Sequence, residues 1–159
     1  MEFISENALT QVVYQNPFID KLVESSDYLT RSYLEFKGLF GIPDLVVLNY
    51  DDRSEKINII KSYAFEMKIK NWQRALIQAY KYLAFSNYSY VVLDHKFANS
   101  AVSNLCRFQN ANVGLISVDV QGKFYTHFIP NFSEPYSDEL VIKFHKIIYS
   151  NILNSDNRD

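Results

Sequence analysis

At 159 residues, with 48% hydrophobic positions, four glycines, four prolines and a formal net charge of −2, the chain excludes disorder and a surface broadly coated for nucleic acid. It is long enough to bury most of its apolar surface in one domain, residues 1–159. The single cysteine, Cys106, excludes an intramolecular disulfide framework; with no signal-peptide pattern over Met1–Glu6 and no membrane-length apolar run, a cytoplasmic protein without membrane contact is expected.

In chain order, residues 6–25 carry a helix-spaced apolar set behind Ser5 as a cap: Leu9, Val12, Val13, Phe18, Ile19 and Leu22. Asn16-Pro17 interrupts it, which predicts two short helices or a kinked one. Tyr28–Leu39 alternates as a strand, with Tyr33, Glu35 and Lys37 on one face and Leu34 and Phe36 on the other. Gly38 and Gly41 turn the chain into a second strand, Asp44–Asn49, and residues 50–55 form a polar hairpin tip. Lys56–Ile69 is the third strand. Asn71 caps a helix from Trp72 to about Ser86, and Tyr88–Leu93 is a short strand best reached by a parallel crossover. Asn99–Gln109 reads as helix, Val113–Val120 and Lys123–Ile129 as a hairpin, and Ser137 to about Leu153 as the last helix, with a frayed tail at 154–159. The fold class is therefore α/β, a mixed sheet flanked by helices, with a core at about 6–120 and an added hairpin and C-terminal helix at 121–153.

The chemistry concentrates at the end of the third strand. Glu66, Lys68 and Lys70 project to one side of it, Phe65, Met67 and Ile69 to the other. A carboxylate and an ammonium two residues apart on an otherwise apolar strand are costly unless they pair or serve chemistry. Asp44, after Pro43, opens the preceding strand, so pairing of the two strands brings two carboxylates and a lysine to one end of the sheet. Phosphodiester hydrolysis needs an activated water and a neutralised leaving oxygen, which Mg²⁺ on one or two carboxylates supplies. Asp44 and Glu66 suit the metal, with the carbonyl of Met67 as a third ligand. Lys68 then orients the water or stabilises developing charge. The next helix offers Arg74, Gln78 and Tyr82, at steps of four, to a phosphate or a base.

Pro43-Asp44 and Glu66-Met67-Lys68 together resemble the PD-(D/E)XK nuclease superfamily, and Gln78 to Tyr82 is similar to the Q-x-x-x-Y element of helicase-associated exonucleases. The element order over residues 6–120 also resembles that superfamily's restriction-endonuclease-like αβββαβ core. The resemblance implies Mg²⁺- or Mn²⁺-dependent cleavage of nucleic acid, DNA rather than RNA, with Asp44 and Glu66 as ligands and Lys68 as the catalytic lysine. It also implies an acid on the first helix, for which Glu6 and Glu24 both qualify. A small domain without a targeting module takes its specificity from a homodimer or a protein partner. The rival reading is a catalytically inactive DNA- or protein-binding module of the same fold.

An isolated Glu-x-Lys occurs by chance about once in a few hundred residues; its placement, not its composition, is what points to a site. The bland alternative is an ion pair at a strand end. Trp72 reads as a packing anchor. His95, His127 and His145 lack ligand spacing and read as structural or surface residues. Cys106 reads as core. The aromatic run Phe124–Phe128 reads as an inner sheet face or a dimer contact rather than a stacking surface.

Overall fold

Asn16 and Pro17 decide how the chain begins. Ser5 caps α1 (Glu6–Gln15), its hydroxyl accepting from the Ala8 N–H at 3.1 Å. Asn16 caps α2 (Pro17–Val23), accepting from the Phe18 N–H at 2.9 Å. Proline at a first helical position has no N–H to waste, so the interruption resolves into two helices. The structure, a computed structural model, describes residues 1–39 and 41–156.

Three antiparallel strands follow: β1 (Leu29–Leu34), β2 (Leu45–Asp51) and β3 (Asn58–Lys68). Next, α3 (Trp72–Tyr82) crosses over to β4 (Tyr88–Asp94), which pairs with β3 in parallel. A 3₁₀ turn (His95–Phe97), α4 (Asn99–Val102) and α5 (Leu105–Ala111) lead into β5 (Gly114–Val118), parallel to β4. The antiparallel β6 (Phe124–Phe128) and α6 (Asp138–Asp156) complete the element order. All six strands share one sheet in the order β1-β2-β3-β4-β5-β6.

Alternation along the strands sorts the core into layers. Leu45, Val47, Phe65 and Met67 face α1 and α2, where they meet Leu9, Val13, Ile19 and Val23. On the opposite face Val91, Leu93 and Leu115 meet Trp72, Ala75 and Ala79 of α3 and Phe108 of α5. Beside them Val46, Leu48 and Ala64 pack on Tyr82, Phe85 and the α6 residues Phe144 and Ile148. The expected mixed sheet with helices on both faces, the added hairpin and the C-terminal helix are all present.

Several expected boundaries move. The first strand stops at Leu34 because Glu35 turns left-handed at φ 46°. From there the Glu35 and Phe36 N–H groups donate to the carbonyls of Asp44 and Pro43. Lys56 and Ile57 precede the third strand, and Ile69 follows it. Helix α3 ends at Tyr82 rather than near Ser86; Leu83, Ala84 and Phe85 make tighter i−3 bonds that swing the chain towards β4. The helix expected at 99–109 is two, α4 and α5, separated by Ser103 and Asn104, with Asn104 off helical geometry at φ −114° and ψ 28°. α6 continues through Asp156, past the expected end near Leu153; of the tail expected to fray at 154–159, residues 157–159 lie outside the described residues. Among the described residues no helix is long and apolar enough to cross a membrane.

Candidate functional site

The carboxyl end of β3 lies beside the start of β2. The Asp44 N–H donates to the Phe65 carbonyl at 3.1 Å, and Asp44 Oδ2 accepts from the Met67 N–H at 2.7 Å. A strand residue turns its N–H and C=O towards the same neighbour. The Met67 carbonyl therefore projects to the side occupied by Asp44. Glu66 is 2% exposed. Its Oε2 accepts from the Tyr82 hydroxyl at 2.6 Å, while its Oε1 lies 3.3 Å from Lys68 Nζ. The same ammonium donates to Glu6 Oε2 at 2.9 Å. Asp44 and Glu6 also border a cleft of about 390 Å³ between α1 and the β1–β2 connection, with Thr10, Gln11 and Glu35.

Charge is under tension here. Burial raises the Glu66 carboxyl above its usual range; the Tyr82 hydrogen bond opposes this, the nearby Asp44 charge adds to it, and Lys68 opposes it again. Burial likewise raises Asp44, against the Met67 N–H and Lys68, while the Glu6 and Glu35 charges reinforce the rise. Burial draws the Lys68 ammonium down, yet the Glu6 hydrogen bond and the Glu66 and Glu6 charges carry it above its ordinary value. The Tyr82 phenol is held far up by burial and by its bond to Glu66. The result is a lysine held in its charged form beside two carboxyls, Asp44 and Glu66, that burial makes harder to ionise.

Asp44, Glu66 and Lys68 thus come together as the sequence led us to expect, and the first-helix acid beside them is Glu6. Tyr82 needs a correction: it does not lie on a polar helix face but is 1% exposed, with its hydroxyl on Glu66. It sits under the β1–β2 connection, where Gly41, at φ 83°, approaches so closely that a Cβ would stand 3.0 Å from the ring. Arg74 is exposed, and its guanidinium has no partner among the described residues. Gln78, one turn before Tyr82, is half-buried, and its Oε1 is enclosed without a hydrogen-bond partner among the described residues. Trp72 is buried, its indole N–H donating to Ser100 Oγ at 3.1 Å, as a packing anchor should be.

Cys106 is also corrected: it is exposed, on the outer side of α5. Two groups escaped sequence reasoning. Asp94 is 1% exposed at the end of β4 and accepts from the N–H groups of Phe3 at 2.8 Å and Lys96 at 2.9 Å. It thereby anchors the segment leading into α1 and Glu6. The imidazoles of His95 and His127 meet across the fully buried Ser117, whose hydroxyl is 2.9 Å from His95 Nδ1 and 2.8 Å from His127 Nε2. The signal for this pair was the hairpin itself: Ser117 pairs with Tyr125, two residues from His127.

Mg²⁺ takes one or two protein carboxylates and fills its octahedron with waters and substrate phosphates. Asp44, Glu66 and the Met67 carbonyl fit that donor set in kind, being hard oxygens at one strand end. No group of three or more His, Cys, Asp or Glu among the described residues is gathered closely enough to hold an ion by itself. No protein-family model, curated protein or solved structure matches the chain.

Proposed function

We propose that this protein is a metal-dependent nuclease that hydrolyses phosphodiester bonds, of DNA rather than RNA, on a restriction-endonuclease-like core. One observation carries the reading: Lys68 bridges Glu6 and Glu66 at the end of β3, with Asp44 hydrogen-bonded to the same strand end. The αβββαβ order of α1–α2, β1 to β3, α3 and β4 supports it, as does the resemblance of Pro43-Asp44 and Glu66-Met67-Lys68 to the PD-(D/E)XK pattern.

Asp44 and Glu66 would hold Mg²⁺ or Mn²⁺, with the Met67 carbonyl. The bound ion supplies positive charge to the scissile phosphate and the leaving oxygen. Lys68, kept charged by its neighbours, sets a fixed ammonium where negative charge develops in the transition state. Glu6, half exposed at the cleft, orients that ammonium and can accept a proton from water. Tyr82 fixes the Glu66 rotamer through a hydrogen bond made before substrate arrives. Arg74 and Gln78 contact the nucleic acid, in a cytoplasmic enzyme whose specificity comes from a second copy or a protein partner.

The second reading is a non-catalytic DNA- or protein-binding module, and the lack of a three-ligand group among the described residues is the observation in its favour. The deciding experiment incubates the protein with circular and linear, single- and double-stranded DNA in Mg²⁺, Mn²⁺ or EDTA, beside Lys68→Ala. Metal-dependent cleavage is expected, slowed on the order of a hundredfold by Lys68→Ala, with binding in Ca²⁺ largely kept. If neither metal supports cleavage of any substrate, the binding module is the correct reading.

A further inference from the structure

From the candidate site, a row of paired residues crosses the sheet. Lys68 pairs with Leu93, Leu93 with Ser117, and Ser117 with Tyr125. Paired residues share a face, and three steps of strand spacing cover about 14 Å. The row follows the edge where β3, β4 and β5 end, the edge at which open α/β sheets take their ligands.

Above this row, cations and aromatic rings alternate. Lys70 Nζ stands 4.5 Å and Lys96 Nζ 5.4 Å from the centre of the Phe97 ring. His95 stacks on Tyr125 with centroids 3.8 Å apart and planes 14° apart, and Lys123 Nζ stands 5.1 Å from the same Tyr125 ring. The Ser117 hydroxyl ties down His95 Nδ1, so the His95–Tyr125 pair is rigid. Lys70, Lys96 and Lys123 are exposed, while both aromatic rings are half-buried. Two acids share the region: Glu2 pairs with Lys96 at 2.9 Å, and Asp119 accepts from the Tyr125 hydroxyl at 3.3 Å. The Glu2 pair is exposed at both ends and worth little, so a phosphate can replace it.

Aromatic rings beside exposed ammonium groups are what a single strand of nucleic acid requires: a π-face for unpaired bases and positive charge for the backbone. Duplex DNA hides its base faces and gains nothing from the rings. We infer that the rim formed by Lys70, Phe97, Lys96, His95, Tyr125 and Lys123 is a binding track for single-stranded nucleic acid, leading away from Lys68 along the sheet edge. The inference rests on the nuclease reading for its purpose, since it names the form of the substrate, but its physical basis is separate.

The test is binding of a fluorescent oligothymidylate and of a duplex of equal length, by anisotropy over a salt series, in EDTA so that cleavage plays no part. The wild type is expected to prefer the single strand. The triple variant Lys70→Ala/Lys96→Ala/Lys123→Ala should lower the log–log salt slope by about 0.7 per lysine, about 2 in all. Phe97→Leu should weaken single-strand binding roughly tenfold, with Phe97→Tyr restoring it and Lys146→Ala on α6 leaving it unchanged. A wild type that does not bind the oligothymidylate, or that prefers duplex, overturns the track; so does a triple variant with wild-type affinity and slope. Single-strand binding lost in the triple variant, in a protein that cleaves nothing with Mg²⁺ or Mn²⁺, supports the track while the nuclease reading falls.

Discussion

Glu6 and Lys68, 62 residues apart in the chain, are joined at 2.9 Å between Oε2 and Nζ. The contact connects the first turn of α1 to the last residue of β3, across the end of the sheet. The Glu6 side chain is half exposed, so the pair contributes little to stability; what it fixes is the direction of the ammonium. Glu6→Gln is therefore expected to change unfolding free energy by less than about 1 kcal/mol and to lower turnover by roughly tenfold to a hundredfold. Glu24→Gln, at the exposed end of α2, should alter neither. Equal effects of the two substitutions in urea melts and cleavage assays would remove Glu6 from the site.

The Tyr82–Glu66 bond, at 2.6 Å between buried groups, makes a different demand. Tyr82→Phe leaves a buried carboxylate short of a donor, at a cost of about 1–3 kcal/mol. The hydrogen bond lowers the Glu66 pKa, so its loss raises that pKa further above the ordinary value. The cost is thus full at pH values where Glu66 is ionised and shrinks in acid as Glu66 takes a proton. Denaturant titrations of wild type and Tyr82→Phe across mildly acidic to alkaline buffer check this. A difference independent of pH would assign the tyrosine to packing alone.

How much of this was legible in the sequence depends on how far each feature reaches. Alternation over residues 62–70, the caps at Ser5 and Asn71 and the break at Asn16-Pro17 are local, and they appear where expected. The choice between Glu6 and Glu24 is not local, because it depends on which end of the α1–α2 layer lies above the end of β3. The hydroxyl of Tyr82 counts as polar in a helical stripe, which points the residue outward. Its ring instead packs with Phe85, Val46 and Ala64, and only the hydroxyl meets the carboxylate. Glu35 ended β1 early through a left-handed backbone that alternation of side chains does not reveal. His95 and His127 looked scattered because Ser117, the group between them, is reached only through the β5–β6 register.

Asp44 and Glu66 contribute one part of the pH dependence of the metal-free protein. Both carboxyls have folded pKa values above their unfolded ones, chiefly through burial. At these two groups the folded state thus holds more protons between those values, and their contribution to stability falls as pH rises through that window. Asp44→Asn should remove part of this fall and stabilise the metal-free protein at neutral pH. Mg²⁺ should reverse the trend in the wild type, because the ion competes with protons and stabilises by mass action. Thermal melts with Mg²⁺ and with EDTA, at acidic and neutral pH, test both halves. A wild-type melting temperature indifferent to metal at neutral pH would count against Asp44 and Glu66 as ligands.

Gln78 separates binding from stability most sharply. Its Oε1 is enclosed without a hydrogen-bond partner among the described residues, and an unmet buried acceptor costs free energy. On α3 it stands one turn before Tyr82 and one turn after the exposed Arg74, on the side that meets Glu66. An acceptor kept at such a position, at a cost to the folded state, is suited to a donor that arrives with substrate. Gln78→Met fills similar volume without the oxygen, so stability should stay level or rise by up to about 1 kcal/mol. Cleavage should nevertheless fall, through a raised KM more than a lowered kcat, because the lost contact holds substrate and transition state alike. Steady-state kinetics beside denaturant melts provide the measurement. If Gln78→Met is both more stable and fully active, Gln78 has no part in substrate contact and the likeness of residues 78–82 to a Q-x-x-x-Y element is accidental.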